Sequence, residues 1–335
     1  KSGLRSPYGM SMIEFFFDYG LFLAKLGTVA VAIVVVVGVI VALTKRGAHQ
    51  EGLLVEHLNK RLEGLGDTVR LAVQGKDKFK QTSKERKKEA KEFAKKGSQR
   101  KRVYVIDFKG DIRATATTSL REEVSAVLAV ASEDDQVLVR LENSGGTVHE
   151  HGLAASQLLR IREKNIPLII SVDKVAASGG YLMACVASRI IAAPFAIVGS
   201  IGVIAQLPNF NRFLEDKGVD FEQITAGRYK RTVTMFGKNT DEDRGKLKEE
   251  IEDVHELFKM QILGHRPQID IERIATGEHW YGTRALELGL IDEIRTSDDF
   301  LSEAATKSDL YGVTFKRKKS LPERLLGGAE SLLRR

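Results

Sequence analysis

Residues Leu21 to Leu43 form an apolar run of 23 residues broken by one charge, Lys25. At 1.5 Å per residue, a helix of this length crosses a hydrocarbon core of ~30 Å. Lys25 sits near the start of the run, where its ammonium can snorkel to the interface. Phe15, Phe16, Phe17 and Tyr19 stand just before it, as an interfacial aromatic belt would. The run is too long for an ordinary signal-peptide core, and Thr44-Lys45-Arg46 is a poor cleavage site. The expectation is an uncleaved membrane anchor over residues 21–43, so the rest of the chain must fold beside a bilayer. Residues 1–20 read as an N-terminal tail, of which 1–9 precede Met10 and are set aside as upstream-translated or added residues.

The net charge of +7 is uneven. Lys76 to Arg102 holds thirteen Lys or Arg against four Asp or Glu, more than the excess of the whole chain. Residues 44–102 read as a polar, basic helical stalk with Leu53, Leu54, Leu58, Leu62 and Leu65 at helical spacing. A solvated tether and attraction to anionic headgroups are both open readings of the basic run. Specific nucleic-acid binding is disfavoured, because Phe79 and Phe93 are its only aromatics. The single cysteine, Cys185, excludes a disulfide framework and a Cys-rich metal site, and its apolar neighbours suggest a buried thiol.

From Val103 the pattern changes to strand-like runs at 103–110, 136–142, 166–172, 188–193, 201–206 and 220–225. Helical segments alternate with them around 119–131, 151–164, 179–187, 209–217, 241–263 and 282–288. Such alternation predicts an α/β domain with mostly parallel strands, over 103–300 and followed by a basic tail over 301–335. No GxGxxG or P-loop motif occurs between a strand and a helix.

Three segments could carry chemistry. Ser178 sits in "VAASGGYLM", at a strand-to-helix junction among residues small enough for a substrate backbone to approach. The Gly179 N–H opens a helix and could meet a developing oxyanion, although a serine there is equally an ordinary helix cap. The segment "NSGGTVHEHG" ends a buried strand, and Gly146 could supply a second N–H donor or merely complete a turn. His149 and His151 stand at i, i+2, a poor spacing for joint ligation on a helix. Lys230 lies between Arg228 and Arg231, with no carboxylate nearby in sequence. A general-base lysine must lose about 3 pKa units from ~10.4, which like charge and burial assist. A basic surface loop fits the same residues.

Together, "DKVAASGGYLMACVA", "FAIVGSIGV", "TAGRYKRT" and "GEHWYGTRALELGLIDEI" resemble the signal peptide peptidase A/SohB family of membrane-anchored serine–lysine peptidases. The resemblance spans about residues 103–300, and the anchor with its basic stalk is most similar to the SohB branch. It implies a ClpP/crotonase-like spiral of ββα units with Ser178 as nucleophile and Lys230 as general base. Ser200 of "VGSIG" would orient the lysine, and Gly146 and Gly179 would form the oxyanion hole. The chemistry implied is peptide hydrolysis without metal or organic cofactor, on a peptide or protein substrate such as a signal-peptide remnant. It further implies a ring-like homo-oligomer in a bacterial inner membrane. The family usually has Ser-Pro-Gly-Gly where this chain has Asn143-Ser144-Gly145-Gly146, and losing the proline loosens that turn. A catalytically weak, membrane-tethered scaffold of the same fold is the alternative. An acyl-CoA enzyme of the fold would need neither the anchor nor a Ser/Lys pair. The charges after the anchor place the domain in the cytoplasm by the positive-inside tendency, whereas the analogy with signal peptide peptidase A places it in the periplasm.

Overall fold

The computed structural model describes residues 12–46, 52–95 and 100–317. The chain divides into two units, one containing the N-terminal helix and the other spanning Leu53–Phe315. In the first, the apolar run lies within a single helix, α1 (Met12–Arg46), of 35 residues. The aromatics expected to precede the helix are therefore part of it. Phe16–Val35 is apolar and long enough to cross a membrane, and none of it is buried in protein. Within it the Thr28 hydroxyl donates to the Ala24 carbonyl at 2.8 Å, which satisfies the polar group without water.

After α1 come β1 (Gly52–His57), α2 (Leu58–Gln74) and α3 (Lys76–Lys95), followed by β2 (Lys101–Lys109) and α4 (Thr117–Leu128). Next come β3 (Gln136–Glu142), α5 (Val148–Arg162), β4 (Leu168–Val172), β5 (Val175–Ala177), α6 (Gly179–Ala184), β6 (Arg189–Ala192) and β7 (Ile197–Gly199). The chain continues through α7 (Asn211–Asp216), α8 (Asp241–His265), α9 (Ile271–Ile274), β8 (His279–Tyr281) and α10 (Gly282–Glu287). It ends with β9 (Glu293–Ile294), α11 (Ser297–Lys307) and β10 (Ser308–Lys316).

Seven strands form the main sheet in the order β1-β10-β2-β3-β4-β6-β9, and from β10 to β9 every pairing is parallel. Successive side chains of a strand face opposite sides, so parallel strands buried on both sides are apolar throughout. Ile106, Val139 and Ile170 enter one core, and Val105, Leu138 and Ile169 enter the other. The three-stranded second sheet, β5-β7-β8, leaves the first beside β3, where Asn143 bridges Ala176. This α/β spiral is the fold expected from the sequence.

Two expected strands are absent. Residues 201–206 and 220–225 form no ladder, and residues 220–225 are exposed throughout. Only Ile201 among their apolar side chains enters the core. Conversely, the segments read as stalk and tail supply an edge strand, β1, and an inner strand, β10. Asn59 secures this edge. Its amide donates to the carbonyls of Ala305 and Ser308 at 3.1 and 3.0 Å and accepts the Leu310 N–H at 2.7 Å. Contacts this distant in sequence leave no local periodicity.

Glu123 of α4 is buried and accepts the Phe315 N–H of β10 at 2.7 Å. Desolvation raises its pKa from the ordinary 4.5 to about 7. The folded state therefore holds this proton more tightly than the unfolded chain does. Its stability falls as pH rises from about 4.5 to about 7 and then levels off. Glu123→Gln keeps the acceptor and removes the ionisation. It should raise stability at pH 8 by ~1–3 kcal/mol, and the gain should vanish near pH 4. Urea unfolding of wild type and variant across that range checks this, and a gain independent of pH would contradict it.

Candidate active site

Ser178 lies between β5 and α6 with φ 51° and ψ −120°, a conformation that costs a non-glycine residue of order 1–3 kcal/mol. Its N–H donates to the Gly199 carbonyl at 2.7 Å, and its carbonyl accepts the Leu182 N–H at 3.0 Å. All six residues of α6 are buried, and the Tyr181 hydroxyl donates to the Leu290 carbonyl at 2.9 Å. The core thus holds the helix while Ser178 itself stays half-exposed at its mouth.

The small neighbours are required by space. A Cβ at Gly145, which has φ 92°, would lie 2.7 Å from the Ser178 Cβ and 2.9 Å from the Gly179 nitrogen. A Cβ at Gly146 would collide with the Ile112 carbonyl. The turn without its proline is fastened in other ways. The Asn143 Oδ1 accepts the Gly145 N–H at 2.9 Å, and the Thr147 N–H donates to the Ile112 carbonyl at 2.9 Å. The N–H groups of Gly146 and Gly179 have no hydrogen-bond partner among the described residues. Gly146, Ser178 and Gly179 all line one pocket of about 360 Å³. Its walls are largely apolar, with Val148 and Ala155 from α5, Leu182 from α6, and Val254, Leu257 and Phe258 from α8.

The two histidines separate. His149 is exposed, whereas His151 is fully buried. The His151 Nδ1 lies 2.9 Å from the Thr147 carbonyl and its Nε2 lies 3.3 Å from the Asn143 Oδ1. A Cβ at Gly179 would lie 2.5 Å from the His151 ring. His151 is thus a wedge between the Gly145–Gly146 turn and the start of α6. Sequence reasoning missed Asn143 and His151 as supports. The signal available was a polar pair flanking a glycine turn at a strand end. Cys185 is buried as expected, its Sγ donates to the Leu182 carbonyl at 3.2 Å, and burial pushes the thiol up to about 12.

Strand register sets Ser200 level with Ser178, although Ser200 is not among the residues that line the pocket. Ala177 of β5 pairs with Gly199 of β7, so Ser178 and Ser200 follow paired positions. The Ser200 φ is 52° and its N–H donates to the Glu278 carbonyl at 2.7 Å. Lys230 is not brought in. It is exposed on the excursion between β7 and α8, and its ammonium has no ion-pair or hydrogen-bond partner among the described residues. Its neighbours are anchored: Arg228 pairs with Glu242 at 2.7 Å, and Arg228 and Lys246 both stack on Tyr229.

The chain is similar to known proteins. Peptidase family S49 N-terminal matches residues 14–158, and Peptidase family S49 matches residues 160–311. A probable protease SohB of Haemophilus influenzae is 45% identical over 318 residues, covering 90% of each chain. A probable protease SohB of Buchnera aphidicola subsp. Acyrthosiphon pisum is 54% identical over 225 residues, covering 67% of each. Among solved structures, a lysine-to-alanine mutant of the 1510-N membrane-bound stomatin-specific protease, in complex with a substrate peptide, aligns with a TM-score of 0.43. It is 14% identical and covers 69% of this chain and 99% of that one.

Gly145→Ala tests the packing at the turn. The added methyl meets Ser178 and the start of α6 at a φ that disfavours any side chain. Moving a reacting group by about 1 Å costs roughly 100-fold. The variant should lose about that much kcat/KM in peptide hydrolysis while keeping its far-ultraviolet circular dichroism. Activity within twofold of wild type would show that the turn is not held against Ser178.

Proposed function

This chain belongs to peptidase family S49, and on that premise we propose that Ser178 and Lys230 are the catalytic dyad of this membrane-associated serine peptidase. The observation that supports it is the convergence of Gly146, Ser178 and Gly179 on one pocket, with two N–H groups unpaired and the serine in a strained conformation. A neutral Lys230 takes the Ser178 proton, and the Ser178 Oγ attacks the scissile carbonyl. The Gly146 and Gly179 N–H groups stabilise the resulting oxyanion. The carbon–nitrogen bond breaks, Lys230 protonates the departing amine, and water then hydrolyses the acyl-enzyme. Ser200, just past the end of the neighbouring strand β7, orients the Lys230 ammonium.

The pocket favours an apolar side chain beside the scissile bond, which suits signal-peptide remnants and other membrane-derived polypeptides. The dyad is shared between subunits of a homo-oligomer. Lys230 is exposed in the single chain, and the same excursion exposes Ile204, Phe213, Ile224 and Phe236. A second copy packed there would bury these groups and dry the lysine, lowering its pKa toward that of a base. The anchor and the family resemblance favour a single-pass protein of a bacterial inner membrane.

Ser178→Ala and Lys230→Ala should each lower kcat by more than about 10³-fold with folding intact. Mixed oligomers of the two variants should regain part of the activity, because some interfaces recover both groups. Inert mixed oligomers would refute sharing, near-wild-type turnover by either variant would refute the dyad, and absence of turnover in the wild type would favour the scaffold reading. Ser200→Ala should lose roughly 5- to 150-fold in kcat/KM, equivalent to about 1–3 kcal/mol. An unchanged value would remove Ser200 from the site.

A further inference from the structure

The helical pair α2–α3 turns its sides the wrong way for a domain surface. In α2, Leu58, Leu62, Leu65, Val69 and Val73 recur every three or four residues and form one stripe. A helix packed on a globular core buries such a stripe. Here only Leu58, in the first turn, packs against the sheet. Leu62, Leu65, Val69 and Val73 are 38%, 62%, 63% and 79% exposed. α2 meets α3 with its polar side instead. Asp67 pairs with Arg86 at 2.6 Å, and the Thr82 hydroxyl donates to Gln74 at 3.4 Å.

The partner helix supplies charge. α3 has nine Lys or Arg against four Asp or Glu. Lys76, Lys80 and Lys84 share a face by their i, i+4 spacing, and all are exposed without an ion-pair partner among the described residues.

We propose that the α2–α3 pair is a second membrane contact. The α2 stripe enters the boundary between headgroups and acyl chains, and the net positive charge of α3 behind it adds attraction to anionic headgroups. An apolar stripe backed by a lysine-rich polar side is the composition of an interfacial element. The tether enforces proximity. Eleven residues separate Arg46 of α1 from Leu58 of α2, a reach of at most about 40 Å. The inference rests on α1 being the membrane anchor, and the test separates the two claims.

Cys185 is buried, so introduced surface cysteines can be labelled selectively in the full-length protein. An environment-sensitive fluorophore is placed by Val69→Cys on the stripe, by Leu71→Cys on the opposite side of α2, and by Val31→Cys in α1. Each protein is reconstituted in nanodiscs of phosphatidylcholine with or without phosphatidylglycerol, and quenching by spin-labelled lipid is read. With phosphatidylglycerol, the label at 69 should shift to the blue and be quenched at least about twofold more than the label at 71. Combined Lys76→Glu, Lys80→Glu and Lys84→Glu should reduce that quenching, while the label at 31 is quenched in either lipid. Quenching at 31 with a water-exposed label at 69 overturns the surface contact and leaves the anchor standing. Quenching at 69 without quenching at 31 overturns the anchor and upholds the surface contact. Failure at both positions overturns both claims. A disulfide between copies at Val69→Cys, with no quenching at 69, assigns the stripe to a second copy and overturns the lipid contact.

Discussion

The hydrogen bond from the Ser178 N–H to the Gly199 carbonyl, at 2.7 Å, is the constraint on which the site depends. It continues the β5–β7 ladder one residue past its last pair and holds Ser178 at positive φ. The strain persists because both sides are fixed. α6 is buried throughout, and the Trp280 ring leaves no room for a side chain at Gly199. An ordinary helix cap would sit in an extended conformation and place its side chain over the helix N–H groups. Ser178 does neither, and its side chain makes no capping bond. The bland reading of this serine fails on backbone geometry rather than on family resemblance.

The same geometry separates a rigid half of the site from an exposed one. The turn at Gly145 and Gly146 is fixed by the buried Asn143, the wedge of the buried His151 and the backbone of the exposed Ile112. Asn143 shows how the turn does without the family's proline: a side-chain acceptor replaces ring stiffness. The half carrying Lys230 instead rests on a small cluster of its own, in which Phe236 packs against Phe210 and Phe221. Its apolar residues largely face outward. This outward-facing apolar surface is the one on which we propose that a second copy packs.

Much of the fold was legible because buried parallel strands write themselves as unbroken apolar runs. The expected strand over 136–142 matches β3, and 166–172 contains β4. The runs at 201–206 and 220–225 misled for the converse reason: apart from Ile201, which enters the core, their apolar residues are exposed or half-buried and pair with no strand. β1 and β10 were missed because both lie toward one edge of the sheet. β1 is largely exposed, and β10 has a broken burial pattern. What identifies them is the set of long-range bonds through Asn59 and Glu123.

By itself the sequence determined the local pieces: a helix long enough to cross a bilayer, apolar strands, glycines at strand ends, and a serine among small residues. These are short-range properties, set by side-chain size, backbone freedom and hydrophobic spacing within a few residues. Only the tertiary structure decided which pieces meet. Strand register brought Ser200 beside Ser178, and the close approach of α5 placed the His151 ring under Gly179. The same structure left Lys230 exposed and turned the apolar stripe of α2 outward. Register and packing depend on contacts between segments tens of residues apart, and no local pattern encodes which of two faces a neighbouring segment will cover.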